Sequence, residues 1–239
     1  MGLPLYLAMT EAEIRGSTRV PSDLAYMACH FSPYSTGLSN CPGYLPEGSL
    51  LILNDRTPIS GHDPVRIAQE LCMTAGKLSC RGILIDFQRP EEEQLHDVVR
   101  HICRNAPCRV GVSHLYALEA DCAVFLPPVP PDTVLDDYFA SWNGREIWLD
   151  ISPEGTVISL NENGSRTEPL PLALCPDSGF TEPNLHCHYR IETDREARFT
   201  LFRTQEDLLD LIADAERKGV TLCAGLFQEL RAFTKLTSV

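Results

Sequence analysis

Asp86 and Gln88, two residues apart on one predicted strand, are the arrangement in this sequence with the clearest chemical meaning. On a strand, residues two apart face the same way. The carboxylate and the amide would therefore stand together where the apolar run Gly82-Ile83-Leu84-Ile85 ends. A carboxylate beside a group that gives up a proton is a basis for general acid–base catalysis. Gln88 alters that chemistry, because an amide offers a donor and an acceptor but no titratable proton. Other polar residues close apolar runs and could share such a site: His30, Asn54 with Asp55, Asp150, and Gln228 with Glu229. Glu229, Asp55 or Asp150 could serve as a relocated acid. Solvation or pairing with Arg56 or Arg89 explains them as well.

These side chains need a scaffold that gathers strand ends. Short apolar runs alternate with amphipathic stretches, the pattern of a parallel sheet covered by helices. The runs are Pro4–Ala8, Leu24–Cys29, Leu50–Leu53, Gly82–Gln88, Arg109–Ser113, Ala123–Leu126, Arg145–Ile151 and Leu222–Glu229. Eight parallel strands in 239 residues predict an α/β fold, one (β/α)8 TIM barrel spanning 1–239, a fold that typically needs about 250 residues. Active sites on such barrels gather at the C-terminal ends of the strands. Asp63 followed by Pro64 predicts a helix start, and the helix runs to about Leu78. Glu91-Glu92-Glu93 opens another helix, and Thr204-Gln205-Glu206-Asp207 reads as a capping box. Residues 152–203 read differently, as a β-rich insertion of antiparallel pairs. One turns at Asn161-Glu162-Asn163-Gly164, and the other joins Leu185–Glu192 to Arg198–Phe202 across Asp194-Arg195-Glu196.

The run Arg81-Gly82-Ile83-Leu84-Ile85-Asp86-Phe87-Gln88-Arg89-Pro90 resembles the fourth-strand motif D-G-x-D-x-D-x-E, then proline, of the chitinase-type family 18 glycoside hydrolases. Met27–Phe31 resembles that family's second strand, and Leu50–Asp55 stands where its S-x-G-G strand would. The stretch Gly219–Leu230 is similar to its last strand, which would bring Gln228 and Glu229 to the ligand face. The resemblance implies a mechanism in which a glutamate protonates the glycosidic oxygen while the substrate's acetamido group attacks the anomeric carbon. Asp86 matches the aspartate that orients the acetamido group, and Gln88 stands in place of the acid. Arg81 and Leu84 replace the two earlier aspartates, and Phe125-Leu126-Pro127-Pro128 replaces the polar M-x-Y-D sequence. Loss of the acid alone removes roughly 10²- to 10⁴-fold of rate. The resemblance thus implies an impaired or repurposed barrel, a pseudoenzyme that binds a small saccharide-like ligand. Asp86, Gln88 and Glu229 would form its catalytic position, and His30, Asn54, Asp55, Trp148 and Gln228 would contact the ligand. Trp148 is one of several aromatic residues near strand ends on which a sugar ring could stack; core packing accounts for them equally.

Other constellations are weaker. His186-Cys187-His188 would place two imidazoles on one strand face, which leaves open a metal-dependent hydrolase. No third ligand is identifiable by spacing, so no metal and no cofactor is expected. An interaction scaffold without chemistry also stays open. The net charge of −13 opposes binding to nucleic acid and to anionic membranes. The N-terminus has no basic region followed by a long apolar run, so the reading is of a soluble, cytoplasmic protein. The ten cysteines form no CxxC pair and read as small buried hydrophobes in a reducing compartment.

Overall fold

The computed structural model describes residues 2–90, 92–117, 121–161, 164–193 and 197–233. Eight strands form a closed parallel barrel: β1 (Leu5–Met9), β2 (Leu24–Phe31), β4 (Leu50–Asn54), β5 (Gly82–Asp86), β6 (Arg109–Ser113), β7 (Ala123–Leu126), β8 (Ile147–Asp150) and β14 (Val220–Leu226). Closure comes from β1, which pairs with β14 (Leu5 beside Cys223) and with β2 (Leu7 beside Leu24). A two-residue strand, β3 (Leu38–Ser39), returns antiparallel along β2. This is the predicted (β/α)8 TIM barrel.

Side-chain alternation builds two cores. Leu51, Leu53, Ile83 and Ile85 point outward, into an apolar layer shared with the helices. Leu50, Ile52, Leu84, Phe125 and Trp148 point inward and fill the barrel with small residues such as Ala25 and Ala224. The same period places Asn54, Asp86 and Asp150, the last residues of β4, β5 and β8, on the inward face at the C-terminal mouth.

The main covering helices are α2 (Pro64–Lys77), α3 (Glu93–Asn105) and α5 (Gln205–Arg217); α1 (Glu11–Gly16) and α4 (Leu135–Phe139) are short. Asp63 caps α2 by accepting from the Val65 N–H at 3.0 Å, with Pro64 in the first turn. Glu92 occupies the N-cap position of α3, and Glu91 lies outside the described residues. Thr204 and Asp207 form the reciprocal capping box at α5.

Between β8 and α5 lie β9 (Gly155–Asn161), β10 (Gly164–Leu170), β11 (Phe180–Glu182), β12 (Cys187–Thr193) and β13 (Ala197–Phe202). The antiparallel pairs expected here join into one five-stranded sheet of order β10-β9-β13-β12-β11, because β13 pairs with both β9 and β12. The two turn tips expected at 162–163 and 194–196 lie outside the described residues.

The last element departs from expectation. The closing strand ends at Leu226, and Phe227–Leu230 is a helical turn, α6. Leu230 is fully buried against the barrel wall, and the Arg231 N–H donates to the Phe227 carbonyl at 2.8 Å. Gln228 and Glu229 therefore do not extend a strand into the mouth.

Candidate binding and catalytic site

The C-terminal mouth opens into a cavity of about 780 Å³. Its wall includes Asn54, Asp55, Asp86, Gln88, Asp150 and His30, with Met27, Ile52, Leu84, Phe125 and Leu226 as apolar patches. Thr10, Glu11 and Ala12 reach it from the N-cap and first turn of α1, and Asn40 reaches it from the turn after β3.

Backbone register sets the polar row. His30 on β2 pairs with Asn54 on β4, and Asn54 pairs with Asp86 on β5. Asn54 is fixed by its amide, which donates to the Met27 carbonyl at 2.9 Å, and its oxygen accepts from the Arg56 N–H at 3.2 Å. The His30 Nδ1 lies 2.9 Å from the Ala28 carbonyl. A carbonyl only accepts, so Nδ1–H donates to it and Nε2 is the ring nitrogen left for a ligand.

Gln88 lies just past β5, and its side-chain amide donates to Asp86 Oδ1. Its backbone is held from the neighbouring strand end. Asp55, 5% exposed, accepts from the Gln88 N–H at 3.0 and 3.1 Å and from the Arg89 N–H at 2.8 Å. Both Asp55 oxygens are thus occupied with loop backbone. Asp55 positions Gln88, and it is poorly placed to exchange protons with a ligand.

The other carboxylates carry the electrostatic tension. Burial raises Asp86 above the usual carboxylate range; the Gln88 amide partly offsets this, and the charge of Asp55 adds to it. Asp150 is pushed up to about 7, first by burial, then by the charges of Asp86 and Glu229, with the Ile151 backbone N–H pulling the other way. Glu229 is absent from the cavity wall. It accepts from the Ser152 hydroxyl at 3.1 Å, and burial raises it too.

The structure thus brings together Asp86, Gln88, His30, Asn54 and Asp55, and leaves Gln228, Glu229 and Trp148 out of the cavity lining. Trp148 lies one inward layer below Asp150, 1% exposed, on the barrel floor. Gly111 and Gly82 make room for its ring; a Cβ on Gly111 would stand 2.2 Å from an indole carbon. No sugar can stack there. Among the other aromatics, Phe31 and Phe87 sit in the outer core, and Phe125 reaches the cavity.

The paired-imidazole reading also changes. His186 adopts a left-handed backbone before β12 begins, so the two rings do not share a strand face. His186 Nε2 lies 3.3 Å from Asp214, and His188 Nδ1 lies 2.8 Å from Asp207. Each ring has its own carboxylate. Among the described residues, no group of three or more His, Cys, Asp or Glu converges on a metal position.

Sequence reasoning named Asp150 only as a fallback acid. The signal was the parallel between Ile147-Trp148-Leu149-Asp150 and Leu84-Ile85-Asp86, two runs that end on an inward carboxylate. Thr10, Glu11, Asn40 and Arg56 carry no such signal as wall residues, since turns and the first residues of a short helix leave no periodic trace.

No protein-family model and no curated protein matches this sequence. Solved structures do. A GH18 chitinase from Cycas revoluta in complex with (GlcNAc)3 superposes with a TM-score of 0.62 at 10% identity, covering 98% of each chain. A class V chitinase from Nicotiana tobaccum, a Glu-to-Gln mutant in complex with NAG4, gives 0.59 at 10% identity, over 100% of this chain and 99% of that one. The spore cortex-lytic enzyme SleL of Bacillus cereus gives 0.58 at 12% identity, over 99% of this chain and 75% of that one. At such identities the likeness is one of fold: the barrel is similar in architecture to those of the GH18 chitinases and SleL.

Proposed function

We propose that this barrel binds a saccharide in the mouth cavity and that its family-type hydrolysis is impaired. The observation that carries the reading is the Gln88 amide donating to Asp86 inside a cavity of about 780 Å³. That size suits a small ligand. The pair offers a half-buried acceptor and a neutral amide where hydrolysis would need a protonated acid. Phe125, Met27 and Leu226 supply apolar wall for the C–H faces of a sugar, and Asp86, Asn54 and His30 supply hydroxyl partners. The Glu-to-Gln chitinase that holds NAG4 supports the idea that this fold binds sugar with an amide in place of a carboxyl.

A thermal-shift series with N-acetylglucosamine oligomers and other saccharides tests it. A ligand at about 100 times its dissociation constant stabilises the fold by ~2.7 kcal/mol, and Asp86→Ala should remove the shift. If no saccharide shifts the wild type, the reading is wrong.

A second reading has its own observation. Asp150 is held up to about 7 at the wall that also carries Asp86, so a relocated acid stands on β8. A general acid works best with its pKa near the operating pH. This reading predicts slow turnover of an aryl glycoside, lost in Asp150→Asn. Absence of turnover in the wild type removes it.

A further inference from the structure

The mouth of the barrel carries a second kind of chemistry, in sulfur. Cys29 on β2 and Cys41 just after β3 bring their Sγ atoms to 3.4 Å. They are 12 residues apart in sequence, and the antiparallel return of β3 makes them neighbours: His30 faces Ser39, so the next position down sets Cys29 toward Asn40 and Cys41. Cys29 is fully buried in the outer core, while Cys41 is half-buried. Each thiol is the chain neighbour of a residue on the cavity wall, Cys29 of His30 and Cys41 of Asn40. Asn40 holds a left-handed backbone with φ of 55°, and its carbonyl accepts from the Tyr26 hydroxyl at 2.8 Å. This turn and the cavity rim are therefore one structure.

We propose that Cys29 and Cys41 form a reversible disulfide under peroxide, and that the bond clamps the β3 turn, with Asn40, onto the rim of the cavity. A disulfide needs an S–S separation of about 2.05 Å, so closure asks for a small approach of side chains already in contact. The two thiols divide the work. Either sulfur can donate across the 3.4 Å contact, but Cys29 is the more buried: the shared hydrogen bond and burial raise the Cys29 thiol, and the same bond lowers the Cys41 thiol. Cys41, the more reachable sulfur, is thus the one that reacts as thiolate. Its sulfur attacks hydrogen peroxide, breaking the O–O bond and giving a sulfenic acid and, with one proton, water. The Cys29 sulfur then attacks the sulfenic sulfur, loses its own proton, and expels a second water. In balance, two thiols and one peroxide give one disulfide and two waters. A dithiol reductant reverses the step by exchange.

The inference does not depend on the ligand. The test is to expose the native protein to stoichiometric hydrogen peroxide, alkylate the remaining thiols, and map peptides without reduction. The expected result is a Cys29–Cys41 linked peptide as the dominant product, lost on treatment with dithiothreitol and absent in Cys41→Ser. Sulfenic acid should then accumulate at Cys41 in Cys29→Ala, if that buried variant folds. A link confined to other pairs overturns the proposal, for instance Cys103 to Cys122, whose thiols also share a hydrogen bond. So does a protein in which both Cys29 and Cys41 stay alkylatable. Hydrogen exchange decides the clamp: amides of 38–41 should slow at least tenfold on oxidation and recover on reduction. A linked peptide with unchanged exchange there would leave the bond without its clamp and refute that half.

Discussion

The seam between the five-stranded sheet and the barrel buries the guanidinium of Arg203, whereas the barrel mouth leaves the carboxylates of Asp86 and Asp150 half-buried at a cavity wall. Arg203 is 3% exposed, yet every direction of its fork meets a carbonyl: Val129 at 2.6 Å, His186 at 3.2 Å and Pro130 at 3.4 Å. Burial lowers it only to about 10, so it stays charged at neutral pH. Nearby, His186 and His188 each face an aspartate. At the mouth the balance is reversed. Asp86 has one amide partner, and Asp150 has like charge nearby and a pKa pushed up to about 7. A charge enclosed by donors or acceptors holds a structure together. A charge left facing a cavity is strained until something binds, which is why such groups mark functional sites.

The largest effect that could break this comparison lies in the seam. Arg203→Met keeps the stem and removes the fork, leaving the buried Val129 carbonyl and the part-buried carbonyls of His186 and Pro130 short of a donor at about 1–3 kcal/mol each. The expected loss is about 5 kcal/mol, comparable with the whole stability of a marginal domain. Urea denaturation reads it directly. A loss below ~1 kcal/mol would mean that the seam is not held by Arg203.

The mouth should respond with the opposite sign. Between the ordinary aspartate pKa and about 7, the unfolded chain releases a proton that folded Asp150 keeps. Stability therefore falls as pH rises through that window and levels off above it. A shift of this size is worth on the order of 4 kcal/mol at the limit. Asp150→Asn, which stays neutral, should stabilise the protein at pH 8 and leave it unchanged near pH 3, with a shallower slope between. Asp86 is raised in the same direction and keeps part of the slope. If Asp150→Asn is destabilising at pH 8, the carboxylate is a satisfied structural group and the contrast with Arg203 fails.

Much of the mouth was legible because the barrel repeats one rule. Each strand is a short apolar run that stops at a polar residue, and period two then sends Asn54 and Asp86 inward. The same rule, carried one layer deeper, sends Trp148 to the floor. Reading it as a ligand contact overlooked that layer count. Gln228 and Glu229 were drawn into the last strand, although Phe227 and Leu230 are spaced by three, as in a helical turn. The Cys29–Cys41 contact depends on β3, two residues long and without a pattern to detect. The histidine pair failed for a local reason. Pro183-Asn184-Leu185 forms one helical turn, and the left-handed His186 after it breaks the alternation on which a shared face depends.

His188 gives the smallest test and the one that sharpens the seam most. Its Nδ1 meets Asp207 Oδ2, the oxygen that also accepts from the Thr204 N–H and hydroxyl at 2.8 Å each. The ring therefore joins β12 to the capping box of α5, and Asp207 keeps those two partners when the ring is removed. His188→Ala should cost about 1 kcal/mol, the worth of one hydrogen bond at a partly buried site. Asp207→Ala should cost more, since it also removes the bond from the Thr204 N–H that completes the capping box, at a further ~1 kcal/mol. In the double variant the His188 contribution should vanish, because its partner is already gone. Additive losses would mean that the imidazole acts through packing against Phe202, whose ring centroid lies 5.8 Å away, and not through the carboxylate.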